Sequence, residues 1–139
     1  MSIEELCARD LMSKNIVEID RDLSLRVAVE RMMDHGIHGL LVAPDGPNRG
    51  HCILTGKDCI EVLCTIGEDA LDALCVEDAM TRPAVTIPAD LCIADSIQLM
   101  RHAGVRTVPV VEAGQVVGVF TYTDVLRACV PRQSQSLED

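Results

Sequence analysis

The sequence predicts an α+β fold built from two copies of one strand–helix–strand–strand–helix unit. Three observations carry that reading. Residues 10–46, DLMSKNIVEIDRDLSLRVAVERMMDHGIHGLLVAPDG, align without a gap on residues 78–114, DAMTRPAVTIPADLCIADSIQLMRHAGVRTVPVVEAG. Ten of the 37 aligned positions are identical, among them Asp10/Asp78, Met12/Met80, Asp22/Asp90, Gly36/Gly104 and Val42/Val110. Beyond them, CILTGKD (52–58) matches GVFTYTD (118–124), so each copy ends on an apolar run followed by Thr-x-x-Asp. Repetition on this scale defines the architecture before any single element is placed.

The elements follow in order. IVEI (16–19) and AVTI (84–87) are short enough and β-branched enough for strands. A helix comes next in each copy: Leu25, Ala28, Met32 and Met33 share one face in the first, Ile93, Ile97 and Met100 in the second. Asp22 and Asp90 are the expected N-caps. Gly36 and Gly104 stand where a left-handed C-terminal cap belongs. Then come two strands per copy, GLLVA with HCILT and TVPVV with QVVGVFT, joined by turns containing Asp-Gly and Ala-Gly. The first copy carries two extra residues in its turn, within PNRG. A last short helix starts near Asp58 and near Asp124. The repeats are thus expected at 7–66 and 78–130, a linker with a helical turn at 67–77, and a frayed tail at 131–139. One copy of this size buries little surface by itself, so the two are expected to pack sheet to sheet with pseudo-two-fold symmetry.

Composition narrows function. Apolar residues make up 48% of the 139, enough for a real interior, with one Phe, one Tyr and no Trp to fill it. The net charge of −10 argues against nucleic acid and against anionic membrane, both of which are held by lysine and arginine. No apolar run reaches the roughly 18 residues of a membrane span, and the acidic start MSIEELCARD lacks the basic region of a secretion signal. A cytoplasmic protein is expected. The seven cysteines are odd in number and form no C-x-x-C, so they read as reduced thiols, most of them in the apolar core.

Thr-x-x-Asp at a strand-to-helix junction admits two readings. The carboxylate can accept both hydroxyls of a ribose, with threonine and the helix N-terminus beside it for a phosphate. Equally, threonine and aspartate there can cap the helix. Spacing alone does not choose.

The repeated D-x-M, the order of elements, the V-P-V-V of the second copy and the closing T-x-x-D together resemble the cystathionine-beta-synthase (CBS) domain, over about residues 7–130. Two in tandem are similar to a Bateman module. The resemblance implies a regulatory module, not an enzyme. It would need no cofactor but would bind a regulatory adenosine compound (AMP, ADP, ATP or S-adenosylmethionine) in a cleft between repeats. It would act as a homodimer and signal to a separate effector protein. Carried onto this sequence, the stronger site is the second copy's. Val85, Ile87, Val105 and Pro109 would give apolar contact, Thr86, Thr121, Tyr122 and Asp124 polar contact, and Arg106 would meet phosphate, with Pro88 completing Thr86-Ile87-Pro88. Gly118 would let the ligand approach the strand, where the first copy has Cys52. The weaker site is Val17, His38, Thr55, Lys57 and Asp58, with Glu18 and Asp20 unfavourable to phosphate.

Three rivals stand beside this. An enzyme lacks any G-x-S-x-G, P-loop or G-x-G-x-x-G here. A metal site would have to gather His35, His38, His51 and Cys52. A scaffold without ligand would use the same fold only to dimerise, with the faces of LRVAVERMM and IADSIQLM as candidate surfaces.

Overall fold

The computed structural model of the protein describes residues 2–130, so the tail expected at 131–139 lies outside the described residues. After a 3-10 turn at Ile3–Glu5 the elements are α1 (Ala8–Leu11), α2 (Leu25–His35), β1 (Gly39–Val42), β2 (Cys52–Thr55), α3 (Gly56–Thr65), α4 (Ala70–Ala73), α5 (Val76–Ala79), β3 (Ile87–Pro88), α6 (Ile93–Ala103), β4 (Thr107–Glu112), β5 (Gln115–Thr121) and α7 (Tyr122–Cys129). The mix of helix and strand, in two repeats, is the α+β fold the sequence predicts.

The chain divides into two compact units, and the division does not follow the repeats. One unit is continuous, Ile16–Ala84; the other is split, joining the residues up to Asn15 to those from Val85 onward. Each repeat's lead-in helix therefore packs with the other repeat's strands. Backbone hydrogen bonds show how. In the split unit, Ser13 N–H donates to Val119 O at 2.8 Å and Val119 N–H returns to Ser13 O at 2.9 Å. In the continuous unit, Thr81 and Ile53 make the matching pair, at 2.8 and 3.2 Å. Residues 10–13 and 78–81 are aligned sequence, so one lead-in does the same task in both places.

The continuous unit pairs β1 with β2 antiparallel, Gly39 opposite Thr55. Its core gathers Leu25, Ala28 and Met32 from α2, Leu40, Val42, Cys52 and Leu54 from the sheet, and Cys59, Val76 and Met80 from the later helices. The split unit has three strands in the order β3-β4-β5. Its core is Ala8, Ile87, Ala89, Ile93, Met100, Val108, Val110 and Phe120. Pro109 is tolerated in the middle strand because β3 pairs only at Val110 and Val111, leaving no neighbour that needs the missing N–H.

Several local expectations change. The strand at 16–19 is reduced to a single parallel bridge, Glu18 with Leu41, and that at 84–87 to the two residues of β3. Asp22 and Asp90 are not the N-caps. Ser24 caps α2, its hydroxyl accepting from Val27 N at 3.2 Å, and Cys92 holds the same place on α6. The chain reaches helical angles two residues later than expected, and serine caps as well as aspartate. Met33 turns outward, 75% exposed, where the helical face had placed it inside. Gly36 and Gly104 do close their helices with left-handed φ of 64° and 70°. Ala113 and Gly114, at φ 53° and 78°, make the β4–β5 turn.

The cysteines are also less buried than their neighbours suggested. Cys52 and Cys59 are buried, Cys7 and Cys75 half-buried, and Cys64, Cys92 and Cys129 exposed. Burial pushes the Cys59 thiol up to about 11, with Asp58 adding to the shift.

Gly118 explains itself differently from expectation. A Cβ there would lie 2.8 Å from Ser13 O and 2.8 Å from Met12 Cγ, and on top of Met12 Sδ. The missing side chain admits the lead-in segment, not a ligand. Gly118→Ala should therefore cost about 1–3 kcal/mol by overpacking, read as a lower urea midpoint, and Met12→Ala should recover part of it. Equal stability of Gly118→Ala and the parent would refute the contact.

Candidate functional site

Both Thr-x-x-Asp motifs fold as reciprocal caps. Thr121 ends β5 and Asp124 is the third residue of α7. Asp124 Oδ2 accepts from Thr121 N at 2.9 Å, and Asp124 N donates to Thr121 Oγ1 at 3.4 Å. Thr55 and Asp58 repeat this on α3, at 3.0 and 3.2 Å. The capping reading of the motif is thus realised twice, and it fixes the carboxylates in place.

Capping takes one oxygen of each carboxylate. The second differs between units. Asp124 Oδ1 lies 3.4 Å from Arg127 Nη1, one turn along α7; the carboxyl is 7% exposed and the arginine side chain 69%. In the continuous unit Thr81 Oγ1 stands 3.4 Å from both oxygens of Asp58. A long, exposed arginine is an easily displaced partner. A hydroxyl fixed by the strand bridge at Thr81 is a standing one. The split unit accordingly keeps an acceptor oxygen beside a cation that can turn away.

Strand register gathers most of the other expected residues. Thr107 faces Thr121 across β4 and β5, and Ile87 faces Val110 across β3 and β4. The start of β4 and the end of β5 therefore share one edge of the sheet, and the chain before Ile87, which pairs three residues further along β4, comes from that side. Val85 and Thr86 lead into β3 and Val105 and Arg106 into β4, so they arrive at the edge where Thr121, Tyr122 and Asp124 begin α7. Arg106 is exposed and pairs with no described residue. Ile87 and Pro109 depart from expectation: both are wholly buried, Ile87 in the core and Pro109 in mid-strand, and neither has surface for a ligand. Pro88 is exposed, but it lies beyond Ile87, away from that edge.

The continuous unit converges similarly. Leu41 N donates to Val17 O at 2.9 Å, and Gly56 N to His38 O at 2.9 Å, so Val17, His38, Thr55 and Asp58 meet at one edge of the pair β1–β2, with Lys57 exposed in the first turn of α3. His38 also borders an apolar groove of about 340 Å³ formed by Met33, Cys59, Ile60 and Leu63, among others. Glu18 and Asp20 are exposed; Asp20 lines a separate hollow with Arg21 and Asp22. That arginine is paired with Asp45 and Glu77.

The residues proposed for metal do not assemble. His35 Nδ1 contacts Arg31 O at 2.9 Å and Cys52 is buried in the core. Among the described residues no three histidines, cysteines or carboxylates cluster as a metal site. Among them too, no helix is long and apolar enough to cross a membrane.

Sequence reading missed Arg127 and Thr81. Arg127 was visible as a cation three residues after Asp124 on one helix face. Thr81 was not, because its approach to Asp58 depends on the lead-in pairing with β2.

Two β-α-β-β-α repeats, each closed by a capped helix at a sheet edge, define a paired-repeat module. The chain belongs to the CBS domain family: the family model, described as CBS domain, matches residues 8–65 and 76–131, a tandem pair. An uncharacterized protein of Methanopyrus kandleri is 25% identical over 128 residues, 91% of this chain and 62% of that protein. The chain thus spans about three fifths of that relative's length. A crystal structure of an uncharacterized conserved protein from Pyrococcus horikoshii superposes with TM-score 0.82 at 24% identity, covering 95% of this chain and 97% of the other. The CBS domain pair of protein MJ0100, solved with 5'-methylthioadenosine and S-adenosyl-L-methionine, gives TM-score 0.73 at 23% identity over 89% and 95% of the two chains.

The cap makes a direct prediction. Asp124→Ala removes the acceptor for Thr121 N and should cost roughly 1–2 kcal/mol, whereas Asp124→Asn retains an oxygen for it and should cost less. Chemical denaturation compares them; an Asn variant as unstable as the Ala variant would contradict the geometry.

Proposed function

We propose that the protein is a regulatory module that binds an adenosine-containing ligand and passes the bound state to a separate protein. The observation that carries this is the oxygen Asp124 Oδ1. It is held by the cap made with its twin, engaged among the described residues only by an exposed arginine, and set toward the edge where Thr86, Thr121 and Arg106 arrive. Such an oxygen can accept a ribose hydroxyl, while Arg106 and Arg127 offer charge to a phosphate or carboxylate. Support comes also from the MJ0100 pair, which was solved in complex with two adenosyl compounds. Ligand would favour one conformation of the module, and that preference is what an effector reads. Asp58, with Thr81 on its carboxylate, makes the weaker site. A homodimer is part of the proposal.

A second reading has its own support. The caps account for Thr-x-x-Asp without any ligand, and Met33, Ile60, Ile66, Leu126 and Val130 leave apolar surface exposed. This favours a scaffold that associates through helices.

A melting-temperature series separates the two. AMP, ADP, ATP and S-adenosylmethionine are each titrated to millimolar concentration. A binder at a hundred times its Kd stabilises the folded state by about 2.7 kcal/mol, and the shift should disappear in Asp124→Asn, which keeps the cap. No shift with any of the four leaves the scaffold reading standing alone.

A further inference from the structure

We propose that Cys7 and Cys92 are a redox pair that closes into a disulfide, stapling the N-terminal lead-in onto helix α6 of the split unit. This is independent of the ligand reading.

The two cysteines face each other in an isolated antiparallel bridge. The hydrogen bonds around them define the kind of pair. Ala8 N donates to Leu91 O at 2.9 Å and Ile93 N to Leu6 O at 3.2 Å, while Cys7 and Cys92 exchange none with each other. This is the non-hydrogen-bonded register, whose Cα atoms stand roughly 4.5 Å apart with side chains on the same face. A disulfide accepts Cα separations of about 4.4–6.8 Å. The backbone is therefore already placed for the bond, and only side-chain rotation is required.

The second unit isolates the feature. There the equivalent bridge joins Ser24 to Cys75, flanked by Leu25 N to Leu74 O at 3.0 Å and Val76 N to Leu23 O at 2.8 Å. Same backbone, same register, but serine stands in for one cysteine. The fold thus does not need a thiol at that position; the split unit alone has two.

The two thiols have different surroundings. Cys92 is exposed and makes no side-chain hydrogen bond at the head of α6. Cys7 is half-buried and its Sγ donates to Asp10 Oδ2 at 3.3 Å. Cys92 is the thiol a reagent meets first, and Cys7 the one that resolves. With a low-molecular-weight disulfide as oxidant, the Cys92 sulfur attacks one reagent sulfur, breaks its S–S bond and releases one reagent thiol. Cys7 then attacks the Cys92 sulfur and releases the second. Two electrons pass from the protein to the reagent, and the protons of both S–H groups end on the two released thiols.

The bond would tie Cys7, the N-cap of α1, to the N-cap of α6. Since α1 leads directly into the bridge of Ser13 with Val119, oxidation would hold the lead-in on β5. It closes a loop of about 85 residues, the length regime in which disulfides stabilise most.

The test uses the full chain, reduced, desalted and diluted, then exposed to oxidised glutathione. The expected product is monomer-linked: five of the seven cysteines remain alkylatable after denaturation, and peptide mapping finds Cys7 joined to Cys92. Its melting temperature rises by several degrees and returns on adding dithiothreitol. Cys92→Ser, which copies the serine of the other unit, should melt like the reduced parent and show no oxidative rise. If oxidation joins other cysteines, or links chains through Cys64 or Cys129 only, the pair is overturned. So is it if the Cys7–Cys92 product melts no higher than Cys92→Ser.

Discussion

Four backbone hydrogen bonds decide how this chain is partitioned: those between Ser13 and Val119, and those between Thr81 and Ile53. Each joins a lead-in segment to the edge of a strand that belongs, by sequence, to the other copy. An exposed strand edge is a row of unsatisfied donors and acceptors. Covering it with a short segment from the other copy satisfies those groups, and buries Ala8 in one unit and Val76 and Met80 in the other. Duplication alone would give two self-sufficient copies. Exchange of the lead-ins makes each copy depend on the other's first residues.

The same constraint shapes the chemistry. Because the lead-in brings Thr81 to Asp58, the continuous unit spends its second carboxylate oxygen on a neighbouring hydroxyl. In the split unit the aligned residue is Ser13, whose hydroxyl accepts from Asn15 N at 3.2 Å instead, and the second oxygen of Asp124, Oδ1, meets Arg127 alone among the described residues. Thus one threonine against one serine, at a position no motif marks, separates the two carboxylates. The lead-in helices are themselves anchored by carboxylates. Asp10 and Asp78 accept from the backbone N–H, then the thiol, of Cys7 and Cys75, and are held below the ordinary value of 3.8. Their anchoring is complete above that value and weakens as acid protonates them below it.

Much of this was legible in the sequence. The repeat gave the element order, the capping glycines and the family, because periodic apolar residues and turn formers act locally. Thr55/Asp58 and Thr121/Asp124 were legible as junction residues, with capping among their readings. What stayed hidden depends on contacts distant in sequence. Gly118 looked like an opening for ligand and is filled by Met12. Ile87 and Pro109 looked like lining and are buried, Ile87 in β3 and Pro109 in the central strand β4. Cys92 and Ser24 took the caps assigned to Asp90 and Asp22, a two-residue shift that local propensity does not resolve. The exchange itself left no periodic signal, because α1 and α5 are single turns whose sequence is the same wherever they dock.

One comparison of fragments tests the exchange most directly. Residues 16–84, cut to follow the continuous unit, and residues 7–66, cut to follow the first repeat, are expressed separately and unfolded in urea by circular dichroism. Exchange of the lead-ins requires a cooperative transition for 16–84, which keeps α5 and the Thr81–Ile53 bridge, and none for 7–66, which loses both. A cooperative 7–66 beside an unfolded 16–84 would contradict it.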